Sequence, residues 1–281
     1  SGYRGSPMGG LDTQLWQAAP FLQRNHIQFH PGINEDLAAT AIWGSQQLGL
    51  FPGAQYDGVF AMWYGKGPGV DRSGDVFKHG NLAGSSRYGG VLLAIGDDHT
   101  CKSSTTAHQS ELAMVDASIP VLNPAGVQEF LDFGLYGWAM SRYSGCWVGF
   151  KTTSESVDSS ASVYVDPERA PIILPDNFEM PDGKLNIRWP DPPLDQEYRL
   201  HRHKLYAAMH FARVNRLDKI AIDSPRRRFG IITTGKSYLD VRQALDDLGI
   251  NAALAASIGL VVYKVAMPWP LEPEGIRSLA E

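Results

Sequence analysis

One carboxylate in this sequence stands where a bound ring could use it. Asn34 is a good helix N-cap, and Leu37, Ala38, Ala41 and Ile42 recur at helical spacing behind it, so a helix starts with Glu35 as its first residue. Two roles are open to Glu35. A carboxylate beside the free N–H groups of a helix start is stabilised by the helix dipole, and that alone would explain it. The other role is a carboxyl group offered to a bound cofactor. Ala38, Ala39, Ala41 and Gly44 keep this helix slim enough for a ligand or another backbone to approach closely.

Other patterns suggest chemistry less strongly. Residues 230–237 (GIITTGKS) satisfy the letter of G-x-x-x-x-G-K-[ST], in which backbone amides cradle phosphates. Ile231 and Ile232, however, read as strand interior, so the match is taken as accidental; residues 234–237 still precede a helix start where an anion could rest. Asp97, Asp98, His99, Cys101 and His108 are metal-binding residue types, but their spacing fits no common zinc pattern and suits a polar loop at a strand end. His201 and His203 diverge on a helix, and Arg226-Arg227-Arg228 reads as a solvated charge run.

The elements that must position these residues alternate. Residues 12–25 read as a helix capped by Asp12 and kinked or shortened by Pro20, residues 34–48 as a second helix, 57–63 as a strand, 64–71 as a flexible loop and 73–86 as a helix. Residues 91–95 (VLLAI) have the wholly apolar character of a strand buried on both faces. A helix near 108–117, a short strand at 119–122, a long helix over 124–143 and a strand at 146–150 follow. This predicts an α/β fold with a parallel sheet and helices on both faces. Seven prolines between 166 and 197 mark an ordered linker, after which a basic amphipathic helix (196–216, with Leu205, Met209 and Ala212 buried), a strand (229–233), a helix (237–248) and a strand (260–265) open a second α/β domain.

Composition sets outer bounds. A chain of 281 residues with 43% hydrophobic content has material for two modest cores. Of its net charge of -5, the acidic excess lies in residues 1–165, with nine Lys/Arg against fourteen Asp/Glu, while residues 166–281 carry sixteen of each. No nucleic-acid footprint is present. Two cysteines are too few for a disulfide framework or for an iron–sulfur cluster held by this chain alone, and a reducing cytoplasmic setting fits. No apolar run is long enough to span a bilayer. Ser1 begins what reads as the end of a truncated first strand, so the chain is expected to start inside a domain.

Taken together, five loops carry a resemblance. Residues 2–7 (GYRGSP), 31–39 (PGINEDLAA), 63–75 (WYGKGPGVDRSGD), 96–111 (GDDHTCKSSTTAHQSE) and 123–129 (NPAGVQE) resemble, in order, the long bacterial form of indolepyruvate ferredoxin oxidoreductase, one of the thiamine-diphosphate-dependent 2-oxoacid:ferredoxin oxidoreductases. The resemblance implies that residues 1–165 are the pyrimidine-binding domain and that residues 198–281, after the 166–197 linker, begin the transketolase-C-terminal-like domain. It puts Glu35 on the glutamate that meets N1′ of the aminopyrimidine, where a shared proton favours the imino tautomer that activates C2. It places Ser6 on the substrate side, where relatives carry Thr before Pro. Gly5, Lys66, Gly67, Gln109 and Glu111 become cofactor-pocket candidates, with Trp43, Trp63 and Tyr64 compatible with an aromatic 2-oxo acid.

Family chemistry would then be oxidative decarboxylation, with coenzyme A taking the acyl group and ferredoxin the electrons. A Gly-Asp-Gly segment followed by Asn, the usual holder of Mg²⁺ and the diphosphate, is missing, as is a cysteine-rich cluster motif. Mg²⁺ and the iron–sulfur clusters are therefore expected in diphosphate-binding and iron–sulfur domains outside this chain, its partners in a dimeric assembly, and the chain alone is expected to be inactive. Two alternatives stay open: half of a non-redox thiamine enzyme, and a non-catalytic fragment or subunit.

Overall fold

A computed structural model describes residues 1–280. The chain opens with α1 (Gly9–Gln17), α2 (Ala19–Arg24) and α3 (Glu35–Gln46), then β1 (Phe60–Lys66), α4 (Gly67–Arg72), α5 (Gly74–Ala83), β2 (Gly90–Asp97), α6 (Glu111–Asp116), β3 (Val121–Leu122), α7 (Val127–Ser144), β4 (Val148–Thr153) and α8 (Ser154–Val157). All four strands are parallel, in the order β1-β2-β4-β3. Every residue of β2 is buried, as its unbroken apolar run requires of a central strand covered on both faces. Alternation along β2 divides the core. Val91, Leu93 and Ile95 pack with Ala38 and Ile42 of α3, Phe77 of α5 and Met114 of α6. Leu92 points the other way, with Phe133 and Met140 of α7, Val148 and Phe150 of β4 and Phe211. Each such fully buried large apolar side chain contributes about 1.5–3 kcal/mol.

Residues 158–192 hold no helix or strand. The chain then forms α9 (Pro193–Arg199), a five-residue π-turn (Leu200–Lys204), α10 (Leu205–Val214), β5 (Lys219–Ile222), β6 (Phe229–Thr234), α11 (Gly235–Asp247), α12 (Ala252–Ile258), β7 (Leu260–Val265) and α13 (Pro273–Ala280). The second sheet runs β5-β7-β6, with β6 parallel and β5 antiparallel to β7. Backbone joins the two sheets: past β7, Ala266 accepts from Asn123 N (2.8 Å) and Trp269 from Val121 N (2.7 Å), so this segment covers the edge of β3.

Several sequence expectations need correcting. The helix expected over 12–25 is two, parted at Ala18, and Asp12 caps neither: it is buried and accepts from Tyr64 Oη at 2.6 Å. Residues 67–72 are helical where a flexible loop was expected, because Pro68 sits in a first turn that does not need its missing N–H. The 196–216 helix begins at Pro193, contains the π-turn, and buries Ala207, Ala208, Phe211 and Ala212, while Leu205 and Met209 are only half-buried. The extra residue of the π-turn rotates the stripe. Strand β5 gave no sequence signal, being four residues long and nowhere fully buried. Before β1, Gly2 bridges in parallel to both Tyr64 and Pro31, at a spacing where a Cβ would lie 2.3 Å from the Tyr64 carbonyl oxygen.

Candidate functional site

In an open parallel sheet, ligands gather at the carboxyl ends of the strands. Here that end is built from the loops before α1, the starts of α3 and α4, and the stretch between β2 and α6. Asn34 caps α3, its side chain accepting from Leu37 N at 2.9 Å, and Trp63 Nε1 donates to the Glu35 carbonyl at 3.0 Å. Helix start and strand are thereby locked together. Glu35 itself is half-buried, and among the described residues no hydrogen bond ends on its carboxylate. Its side chain lies against bare backbone: a Cβ on Gly69 would come 2.6 Å from Glu35 Cγ and 3.0 Å from Oε1. Asp36, by contrast, is paired with Arg72 at 2.8 Å. Asn34 is the side-chain cap, as its type and position predict, and the Glu35 carboxylate in the first turn remains free for a donor.

The other expected residues surround this point unequally. Gly5 lies beside the Lys66 stem, 3.4 Å from Cδ to a Cβ that glycine lacks. Ser6 is exposed, and its carbonyl accepts from Ser103 Oγ at 3.1 Å, which ties the first loop to the loop after β2. Gly67 is covered by His108, whose ring would overlap any Cβ there. Gln109 is exposed at the entry to α6. Glu111 turns inward to pair with Lys151, leaving Oε2 buried with no partner. Trp63 and Tyr64 are wholly buried, so they are core and not pocket walls, and the half-buried Trp43 packs near His79.

Sequence reasoning missed what holds the β2–α6 loop. Asp97, fully buried, accepts from Ser110 Oγ (2.5 Å) and Ser110 N (3.0 Å), with Lys151 Nζ 3.8 Å away. Burial pushes the Asp97 carboxyl above its ordinary pKa, the Ser110 hydrogen bonds and Lys151 opposing the shift. Asp98 folds back onto Lys102 N (2.9 Å), Ser103 N (2.7 Å) and Ser104 N (3.2 Å), and these donors, Ser103 first, bring its pKa down to about 2. Both carboxylates are thus spent on the loop. His99 Nδ1 donates to the His108 carbonyl at 2.9 Å, and no group of three or more His, Cys, Asp or Glu among the described residues is disposed to hold a metal. The apparent P-loop is also resolved: residues 229–234 are β6, and Lys236 pairs with Asp240 at 2.7 Å. Its backbone runs straight where a phosphate cradle must curl.

Fold and site together define a two-sheet α/β protein with a free carboxylate at the strand ends of its parallel sheet. The same fold occurs in a 2-oxoglutarate:ferredoxin oxidoreductase from Magnetococcus marinus, solved with 2-oxoglutarate, coenzyme A and succinyl-CoA bound; the match has a TM-score of 0.68 at 13% identity and covers 99% of this chain and 52% of that one. A family model described as indolepyruvate oxidoreductase domain matches residues 219–281. The indolepyruvate oxidoreductase subunit IorA of Pyrococcus abyssi is 29% identical over 226 residues, and that of Pyrococcus horikoshii 28% over 233, each match covering 79% of this chain and 33% of the relative. The chain is thus similar in sequence to indolepyruvate oxidoreductase subunits and in fold to a 2-oxoacid:ferredoxin oxidoreductase. It spans about a third of the length of these curated relatives.

Proposed function

We propose that this chain supplies the aminopyrimidine-binding part of a thiamine-diphosphate-dependent enzyme that oxidatively decarboxylates an aryl 2-oxo acid, indolepyruvate or a close analogue, to its acyl-CoA with ferredoxin as electron acceptor. The observation that carries this reading is the Glu35 carboxylate, set at the strand ends, pressed on Gly69 and free of any protein donor among the described residues. A free carboxylate with a glycine backbone beside it fits a planar ring that brings an N–H donor. When bound, thiamine diphosphate supplies a carbon nucleophile and an electron sink. Glu35 would hold a proton shared with the ring nitrogen, Lys66 would offer a cation beside Gly5, and Ser6 would present its hydroxyl at the exposed rim. Gly67, Gln109 and Glu111 would complete the lining, Glu111 through the oxygen that Lys151 leaves unpaired.

In this reading residues 1–165 are the pyrimidine-binding domain, 166–197 the linker and 198–281 the start of the transketolase-C-terminal-like domain. Mg²⁺, the diphosphate site and the iron–sulfur clusters belong to other parts of a dimeric, cytoplasmic enzyme, so this chain alone turns over no substrate. No described helix is long and apolar enough to cross a membrane. The test is Glu35→Gln in the complete enzyme. Turnover should fall by at least about 10²-fold, the lower range for a positioned acid or base, and exchange of the cofactor C2 proton with deuterium should slow in parallel while thermal unfolding stays unchanged. Normal exchange and normal turnover would return Glu35 to the surface of an ordinary helix.

A further inference from the structure

One imidazole at the strand ends is held in place without being used up. The stretch between β2 and α6 is pinned by Asp97 and Asp98, and His99 Nδ1 holds the His108 carbonyl at 2.9 Å, yet the His108 ring leaves that loop and lies on α4. It covers Gly67 so closely that a Cβ there would fall 2.3 Å from His108 Cγ and 2.6 Å from Nδ1. Gly67 is buried, so the ring has a fixed floor.

Two features suit this ring to chemistry. Asp71, also on α4, faces its Nδ1 at 3.6 Å, a loose contact of the kind that tightens when substrate is bound. The other ring nitrogen, Nε2, meets no hydrogen-bond partner among the described residues and is not sealed from solvent, and the side chain keeps 17% of its surface open. A carboxylate on one imidazole nitrogen and an open second nitrogen make a general acid and base. Position is the second feature. Gly67 and Gly69 lie in the first turn of α4, their Cα atoms about 5.4 Å apart by helix geometry. His108 rests on the first and Glu35 on the second, so imidazole and carboxylate flank one turn from two sides.

We propose that His108 is the proton carrier for the keto oxygen of the 2-oxo acid, with Asp71 positioning it. This rests on the thiamine reading of Glu35 and gives His108 a separate step. When the keto carbon is attacked, the π electrons of its C=O move to oxygen; the Nε2–H bond breaks, an O–H bond forms, and the imidazolium becomes imidazole. Asp71 keeps its charge beside Nδ1. Nε2 takes the proton back when the C=O is restored in the acyl product, so the histidine ends each turnover as it began. Glu35 and His108 thus serve different protons, one on the cofactor ring and one on the substrate.

The test uses the complete enzyme and indole-3-pyruvate. In His108→Gln, kcat should fall at least about 10²-fold with little change in KM, while exchange of the cofactor C2 proton, measured without substrate, keeps its wild-type rate. Glu35→Gln should slow both. Asp71→Asn, at an exposed position, should lower kcat severalfold and leave exchange unchanged. A further readout needs no turnover: with thiamine diphosphate and Mg²⁺ bound but no coenzyme A or electron acceptor, indole-3-pyruvate should slow carbethoxylation of His108 by diethyl pyrocarbonate severalfold. Peptide mass spectrometry reports it, with the exposed His26 and His201 unchanged as controls. A folded His108→Gln enzyme with normal kcat overturns the proposal, as does C2 exchange lost in step with turnover, or carbethoxylation that ignores the substrate. If His108→Gln does not fold, normal turnover of Asp71→Asn or that indifference to substrate decides against it. Normal C2 exchange in Glu35→Gln instead brings down the thiamine reading, and a wild type that turns over neither indole-3-pyruvate nor phenylpyruvate brings down both.

Discussion

At the scale of single residues, the absent side chain of Gly69 matters as much as the carboxylate it accommodates. A methyl at Gly69 would sit 2.6 Å from Glu35 Cγ, so Gly69→Ala must displace the Glu35 side chain. Position 69 is helical, and alanine is preferred there to glycine by up to about 1 kcal/mol, so the fold should tolerate the change. The expected outcome is an unchanged or higher melting temperature with turnover of the complete enzyme reduced tenfold or more; full activity would mean that the position of Glu35 is unimportant. Lys236 supplies the converse case. It makes an exposed i,i+4 pair with Asp240, worth about 0.3–0.5 kcal/mol. Lys236→Ala should therefore barely move stability, and calorimetry should find no Mg-ATP binding in either protein. Micromolar binding abolished by the substitution would restore the phosphate-loop reading.

At the scale of elements, α5 shows how closely helix and sheet are fitted. Gly80 faces Trp147 just before β4, and a Cβ at Gly80 would lie 2.3 Å from the indole Cζ2. Trp147 is fully buried and edge-on to Phe77, with no room to retreat. Gly80→Ala should thus cost about 1–3 kcal/mol by overpacking, in spite of alanine's better helix propensity, and chemical denaturation would show it as a lowered midpoint at constant slope. A neutral result would mean that α5 can lift from the sheet. The cap of α3 is a gentler probe: Asn34→Ala removes the acceptor for Leu37 N and should cost about 1 kcal/mol.

At the scale of the whole molecule, one buried lysine ties the later helices to the parallel sheet's own. Lys204, fully buried, donates to the carbonyls of Asn81 (3.3 Å) and Leu82 (3.1 Å) in the last turn of α5. Burial lowers its pKa to about 8, the buried Cys146 thiol beside it being raised to about 11 by the same cause. Since the Lys204 pKa is lower folded than unfolded, the unfolded chain binds the extra proton between the two values. This lysine's penalty is therefore full below pH 8 and is relieved as pH rises toward 10.5. The stability of the wild type relative to Lys204→Met should accordingly rise by about 3 kcal/mol across that window. A difference that stays flat would place Lys204 in contact with water.

Much of this architecture was legible beforehand because it is written in local patterns. The apolar run of β2, the length of α7, the cap at Asn34 and the alternation of strand and helix follow from side-chain type and period, which act over a few residues. Glu35 was legible too, as a carboxylate at a helix start among small residues. What the patterns could not supply is where polar groups go once the chain folds. Asp97, Asp98, Glu111 and Lys204 look alike in sequence, as charges among loops and helices. Their partners, Ser110, Ser103, Lys151 and the carbonyls of α5, are set by contacts up to 123 residues away. The same holds for the tryptophans: Trp63 became core and not pocket because β1 turned that face toward α3. Helix, strand and cap were thus determined by the sequence through short-range sterics and hydrogen bonding. Which charges are buried and paired, and which carboxylate is left free at the strand ends, was decided only by the packing of distant elements against one another.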